Sequence, residues 1–235
     1  MTLSQRAHIV SAYGAELDQL ADDIARMGGL VETQLTEALS AFVRRNAATT
    51  AAVRAREKQV NAMYGDIEKS IIRLFALRQP MATDLRMTIS ALKIASDLER
   101  VGDLAKNIAY RGEDMAEFAP PPVLGQVERL GAIVTQQLQE VLDALGSFQI
   151  EPALRVWHSD DEVDEHYNSL IADVLTSMKV DSNFVGPGHH VLFVAKNLER
   201  IGDHATNIAE AVHFMVTGQH LEQIDTTITS AGKEE

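Results

Sequence analysis

The chain has 235 residues, room for one large or two small domains, and its 46% hydrophobic but only 5% aromatic content suits helices packed through Leu, Ile, Val and Ala. It has no cysteine, which excludes disulfides and thiolate metal sites and points to a reducing compartment, read here as the cytoplasm. Its net charge of −13, from 34 acidic and 21 basic residues without a Lys/Arg-rich stripe, argues against nucleic acid and anionic lipid and for a protein or cation partner.

The N-terminal stretch MTLSQRAHIVSAYG lacks a basic region followed by an apolar core, so no signal peptide is expected. No apolar run approaches the roughly 20 residues that span a bilayer. Leu17, Leu20, Ile24, Met27, Val31, Leu35 and Leu39 trace a first helical stripe, and Val53, Val60, Tyr64, Ile67, Ile71 and Leu74 a second. Met87, Ala91, Ile94, Leu98, Val101, Ala105 and Ile108 trace a third. Ala119-Pro120-Pro121-Pro122 cannot continue a helix and reads as a linker. Three more stripes follow, Val127 to Phe148, Val156 to Met178 and Val191 to Val216. Pro152 stands where a helix can begin, and Gly186-Pro187-Gly188 is expected to break the chain before the last helix. From about Leu221 the sequence is polar and aperiodic, which predicts a flexible tail.

The third and last stripes are copies of each other. Leu92 to Ala109 reads LKIASDLERVGDLAKNIA, and Leu192 to Ala209 reads LFVAKNLERIGDHATNIA; 11 of 18 positions match at an offset of 100. Glu57-x-x-Val60-Asn61-x-x-Tyr64 aligns more weakly with Asp160-x-x-Val163-Asp164-x-x-Tyr167, at an offset of 103. The expected fold is therefore all-α, a tandem duplication of two similar antiparallel three-helix bundles, six helices in all. The bundles are placed at residues 1–118 and 119–220, with the tail at 221–235.

Core packing alone would repeat the apolar residues and leave the surface free, yet Glu99-x-x-x-Asp103 returns as Glu199-x-x-x-Asp203. At about 100° per residue these carboxylates border the buried stripe, one turn apart. Asp160 and Asp164 are spaced likewise. Like charges at this spacing destabilise a helix by a few tenths of a kcal/mol. A cation would relieve that cost, and oxygen-only ligands suit Mg²⁺, Ca²⁺, Mn²⁺, Fe or Zn²⁺, with Asn107 and Asn207 as added amide donors. Spacing leaves a second reading open, a solvated acidic edge paired with Arg100, Arg200 and other bases. Gly102 and Gly202 lie on the buried stripe, where a helix-interior Gly costs about 1 kcal/mol relative to Ala. Close approach of a neighbouring helix is the expected reason.

The histidines point less clearly to chemistry. His204 projects away from Asp203 and is expected in solvent; His189-His190 sits by a turn, and His166 lies on a different face from Asp164. No phosphate-binding loop, dinucleotide-binding turn or His-Glu-x-x-His helix occurs. Paired Glu-x-x-His motifs of di-iron bundles are missing too. The chain is read as a non-enzyme.

Taken together the sequence resembles the PhoU family of phosphate-specific transport accessory proteins. The resemblance is carried by Leu98-Glu99-Arg100-Val101-Gly102-Asp103 and Leu198-Glu199-Arg200-Ile201-Gly202-Asp203. Arg78-Gln79-Pro80 with Asp84-Leu85-Arg86, and Val163-Asp164 with Tyr167, add to it. It implies two three-helix bundles with multinuclear metal clusters (Fe, Zn, Mn or Mg) on their surface, held by E(D)-x-x-x-D motifs. Carried onto this chain, the ligands are Glu99, Asp103, Glu199, Asp203, Asp160, Asp164 and Glu57, with Asn61 replacing a carboxylate in the first repeat. The implied role is negative regulation of the phosphate-starvation response. The chain would be a cytoplasmic adaptor between the ATPase subunit of a high-affinity phosphate ABC transporter and a sensor histidine kinase. Membrane association would run only through these partners, and the sequence leaves a homodimer open. The alternative is a metal-buffering bundle with an indirect regulatory effect. A carboxylate-metal hydrolase ranks last, because no base or nucleophile stands beside the carboxylates.

Overall fold

The structure, a computed structural model, describes the backbone of residues 3–221 and the side chains of 13–221. Helix α1 (Leu3–Arg44), α2 (Ala47–Arg78) and α3 (Thr83–Asp114) form the first three-helix unit. A 3₁₀ turn (Met115–Glu117) and the proline segment lead to the second unit, built from α4 (Leu124–Ser147), α5 (Ile150–His158), α6 (Asp160–Val180) and α7 (Val185–Thr217). No strand occurs among the described residues. The fold is the expected all-α duplication of six helical rods, the fifth interrupted at Ser159.

Helix ends follow local chemistry. The Asn46 side chain accepts hydrogen bonds from the Ala48 and Thr49 amides and starts α2. Gly218, at φ 76°, ends α7 in the left-handed conformation that costs glycine little. Arg45 and Phe148 take the same conformation after α1 and α4, at equivalent places in the two repeats. The Arg45 guanidinium donates to the Phe118 carbonyl at 2.6 Å and ties the linker to the first unit.

The units share one core. α1 packs on α4 and α3 on α7, while α2 and α5–α6 flank this central layer. Met27, Leu98, Leu138 and Leu198 are among its fully buried side chains. Two glycines set the α1–α4 approach: a Cβ at Gly28 would meet Leu142 at 2.5 Å, and one at Gly131 would meet Leu39 at 2.7 Å. Both pairs follow the repeat offset of 103, so the contact is two-fold in character.

Three expectations change. The stripe from Val156 to Met178 is not one helix but is broken at Ser159, where the Gln137 amide donates to both the carbonyl (3.0 Å) and the hydroxyl (2.9 Å) of Ser159. Gly186-Pro187-Gly188 does not precede the last helix but lies in its first turn, where a missing amide hydrogen has no helical partner to lose. Leu221, the first residue of the expected tail, is buried, and residues 222–235 of that tail lie outside the described residues.

Candidate functional site

Gly102 and Gly202 place the carboxylates. A Cβ on Gly102 would stand 3.3 Å from Val60 of α2, and one on Gly202 would stand 3.2 Å from Val163 of α6. The absent side chains let α2 and α6 settle close against α3 and α7, as expected. This approach sets Glu57 beside Glu99 and Asp103, and Asp160, one turn before Asp164, beside Glu199 and Asp203.

In the first repeat the space between the carboxylates holds an ammonium. Lys106 Nζ donates to Glu57 Oε1 and to Asp103 Oδ1, each at 2.8 Å, so it joins α2 to α3. Asn61 Nδ2 donates to the same Glu57 oxygen at 2.8 Å. Arg100 lies 3.5 Å from Glu99 and 3.9 Å from Asp103. Desolvation opposes the charge on Lys106, but its bonds to Asp103 and Glu57 prevail and raise its pKa. Burial, then the charge of Asp103, raises that of Glu99.

The second repeat differs at the equivalent position. Thr206 replaces Lys106, and its hydroxyl donates to Asp160 Oδ1 at 3.3 Å. Lys196, half exposed and one turn before Glu199, pairs with Glu199 Oε1. Among the described residues Lys196 is the base that pairs with a carboxylate of this cluster, and Glu199 Oε2 is buried without a hydrogen-bond partner. Partial desolvation, then Glu199 and Asp160, raise the pKa of Asp203, although one side of it is open to solvent. Desolvation, against the Thr206 hydrogen bond and with the charge of Asp164, raises that of Asp160.

The second cluster therefore has the donor set for a hard cation: oxygen ligands only, excess negative charge and an orphaned carboxylate oxygen. In the first, Lys106 occupies the gap between Glu57 and Asp103. Among the described residues no three His, Asp or Glu side chains stand at metal-holding geometry.

The remaining polar residues are distributed elsewhere. His204 is not in solvent: its Nδ1 lies 2.9 Å from Asp97 Oδ1, so it links α7 to α3. The wheel angle was right, but the exposed sector is covered by the other repeat. His190 packs against Phe118, and His166 is exposed. Asn207 lines a cleft of about 520 Å³ between α7 and the α2–α3 pair, with Asp97, Lys93 and Glu210, apart from the carboxylates. Arg78 forms a two-bond pair with Glu16, 3.0 Å for each bond, as a salt-bridge role predicts. Lys106 and the Asp97–His204 pair escaped the sequence reading. A signal for the first was present, since Lys106/Thr206 is a mismatch inside the repeat, three residues beyond Asp103.

Comparison with known proteins agrees with this architecture. The family model described as PhoU domain matches residues 24–112 and again 127–212. A "Phosphate-specific transport system accessory protein PhoU homolog" of Caulobacter vibrioides is 46% identical over 215 residues, covering 91% of this chain and 94% of that one. The homolog of Zymomonas mobilis is 41% identical over 223 residues, covering 94% and 93%. The crystal structure of PhoU from Pseudomonas aeruginosa superposes with a TM-score of 0.86 at 36% identity, covering 88% of this chain and 100% of that one. The phosphate transport system regulatory protein PhoU from Streptococcus pneumoniae gives 0.82 at 27% identity, covering 89% and 99%. With both repeats matched and relatives aligned over more than nine tenths of their length, the chain belongs to the PhoU family.

Proposed function

We propose that this protein is a phosphate-transport accessory protein that keeps the phosphate-starvation response off when phosphate is plentiful. It acts as a non-enzymatic cytoplasmic adaptor between the ATPase subunit of a phosphate ABC transporter and a sensor histidine kinase, holding the kinase in its phosphatase state. The observation that carries this reading is the match of both repeats, over nearly the whole chain, to phosphate-specific transport accessory proteins. No described helix is long and apolar enough to cross a membrane, so membrane contact would run through these partners. The acidic faces of the flanking helices are the natural docking surface for basic partner segments. In the second repeat Glu199, Asp203, Asp160 and Asp164 would hold a divalent or trivalent cation, which would neutralise their repulsion and cross-link α6 to α7. A starvation-gene reporter in a deletion strain tests the regulatory reading: it should fire in phosphate-rich medium, and a silent reporter would overturn the proposal.

A second reading, a metal-buffering bundle, draws on the orphaned Glu199 oxygen and the excess charge around it. Affinity purification separates the two. An adaptor retains transporter ATPase or kinase; a buffer retains metal and neither protein.

A further inference from the structure

We infer that Lys106 is a built-in counter-cation that closes the Glu57–Glu99–Asp103 cluster, so that the first repeat takes no metal ion and the two clusters are unequal. For the second repeat the inference rests on the metal reading proposed above; for the first it rests on the ammonium alone. The Lys106 side chain is only 23% exposed, and its 2.8 Å bonds reach carboxylates on two different helices. Charge-assisted bonds of this length are the strong kind. Glu57 Oε1 accepts from Lys106 and Asn61 together, and Arg100 covers the outer oxygens of Glu99 and Asp103. An incoming metal ion would have to displace an ammonium that is already desolvated and bonded.

The second repeat shows the contrast. A neutral hydroxyl stands at the equivalent position in Thr206, and the base present, Lys196, is 52% exposed and reaches Glu199 alone among the described carboxylates. Its counterpart in the first repeat is Ser96. A lysine thus stands at a central position in one repeat and at a peripheral one in the other. Lysine suits the central role because its ammonium is a compact point charge without the planar geometry of arginine.

Two measurements on the full chain test this. In the first, chelator-stripped protein is titrated calorimetrically with Mn²⁺ alone. A Glu199→Gln/Asp203→Asn variant, whose second cluster keeps only Asp160 and Asp164, should take up no Mn²⁺; adding Lys106→Thr should create a site that Glu57→Gln abolishes. Mn²⁺ uptake while Lys106 is in place, lost on Glu57→Gln, overturns the inference, and so does a Lys106→Thr protein that gains no site although wild type binds at its second cluster. In the second, metal-free Lys106→Met is melted at low salt. It should melt about 3–6 °C below wild type, a loss that shrinks at high salt and is reversed by Asp103→Asn. A wild-type melting temperature overturns the inference whatever the titration shows. If wild type binds no Mn²⁺ at all, the metal reading of the second repeat falls, and the melting series alone decides the role of Lys106.

Discussion

Gly112 of α3 has no room for a methyl group: a Cβ there would meet the Ala41 carbonyl oxygen at 2.6 Å and Phe42 Cα at 2.8 Å. Both are backbone atoms of α1 and cannot swing aside. Gly112→Ala should therefore cost about 2–3 kcal/mol through overpacking. Gly29 is the control, exposed in the middle of α1 with nothing within 4 Å of a Cβ among the described residues. Gly29→Ala should stabilise by about 0.5–1 kcal/mol. Urea titrations of the two variants should move their midpoints in opposite directions. His190 gives a pH dependence at the same scale. Burial, with help from Arg111 and His189 and against Asp114, lowers its pKa below the ordinary 6.5. Between that value and its folded pKa the unfolded chain binds more protons, so this contribution is present above about pH 6.5 and lost as pH falls. The melting temperature of His190→Gln should fall less steeply than that of wild type between neutral and mildly acidic pH.

Helix pairs carry the consequences at the next scale. Gln34 and Gln137 are equivalent by the repeat offset, yet Gln34 donates to the Gly102 carbonyl at 2.7 Å while Gln137 donates to Ser159 at the break between α5 and α6. Both side chains are buried. Gln137→Leu should leave the Ser159 carbonyl without its side-chain donor at a cost of about 1–3 kcal/mol. Hydrogen exchange should quicken at the α5–α6 junction before it does elsewhere. The second carboxylate cluster spans α6 and α7 and makes a different prediction. Removing charge with Glu199→Gln/Asp203→Asn should leave the metal-free melting temperature unchanged or raised, because it relieves like-charge repulsion. Added Mn²⁺ should raise the melting temperature of wild type and not that of the variant, since a ligand that binds only the native state stabilises it.

For the whole molecule, the shared core joins what the sequence presents as two bundles. α1 against α4 and α3 against α7 form its centre, and the Asp97–His204 pair crosses the same boundary. Calorimetry should record one cooperative transition rather than two, with matching calorimetric and van't Hoff enthalpies. A fragment of residues 1–118 should fail to fold as a monomer, because it exposes the α1 and α3 faces. Two separated transitions, or a stable monomeric fragment, would show that each repeat is a domain by itself.

The helices, the duplication and the carboxylate rows were legible in the sequence because each depends on local periodicity. Leu98 and Leu198 face the core, and Glu99, Asp103, Glu199 and Asp203 border it, through turn geometry alone. The Gly102 and Gly202 close approaches were legible for the same reason, since a glycine on a buried stripe implies a neighbour. What meets across helices was not. Lys106 reads as one more surface lysine until α2 brings Glu57 within 2.8 Å of it, and His204 reads as solvated until α3 covers it with Asp97. At the break, Ser159 likewise meets Gln137 from another helix. Periodicity specifies which face of a helix is apolar, but the distance and rotation at which two such faces lock are set by packing. Tertiary structure alone therefore places an ammonium between the carboxylates of the first cluster and a hydroxyl beside those of the second.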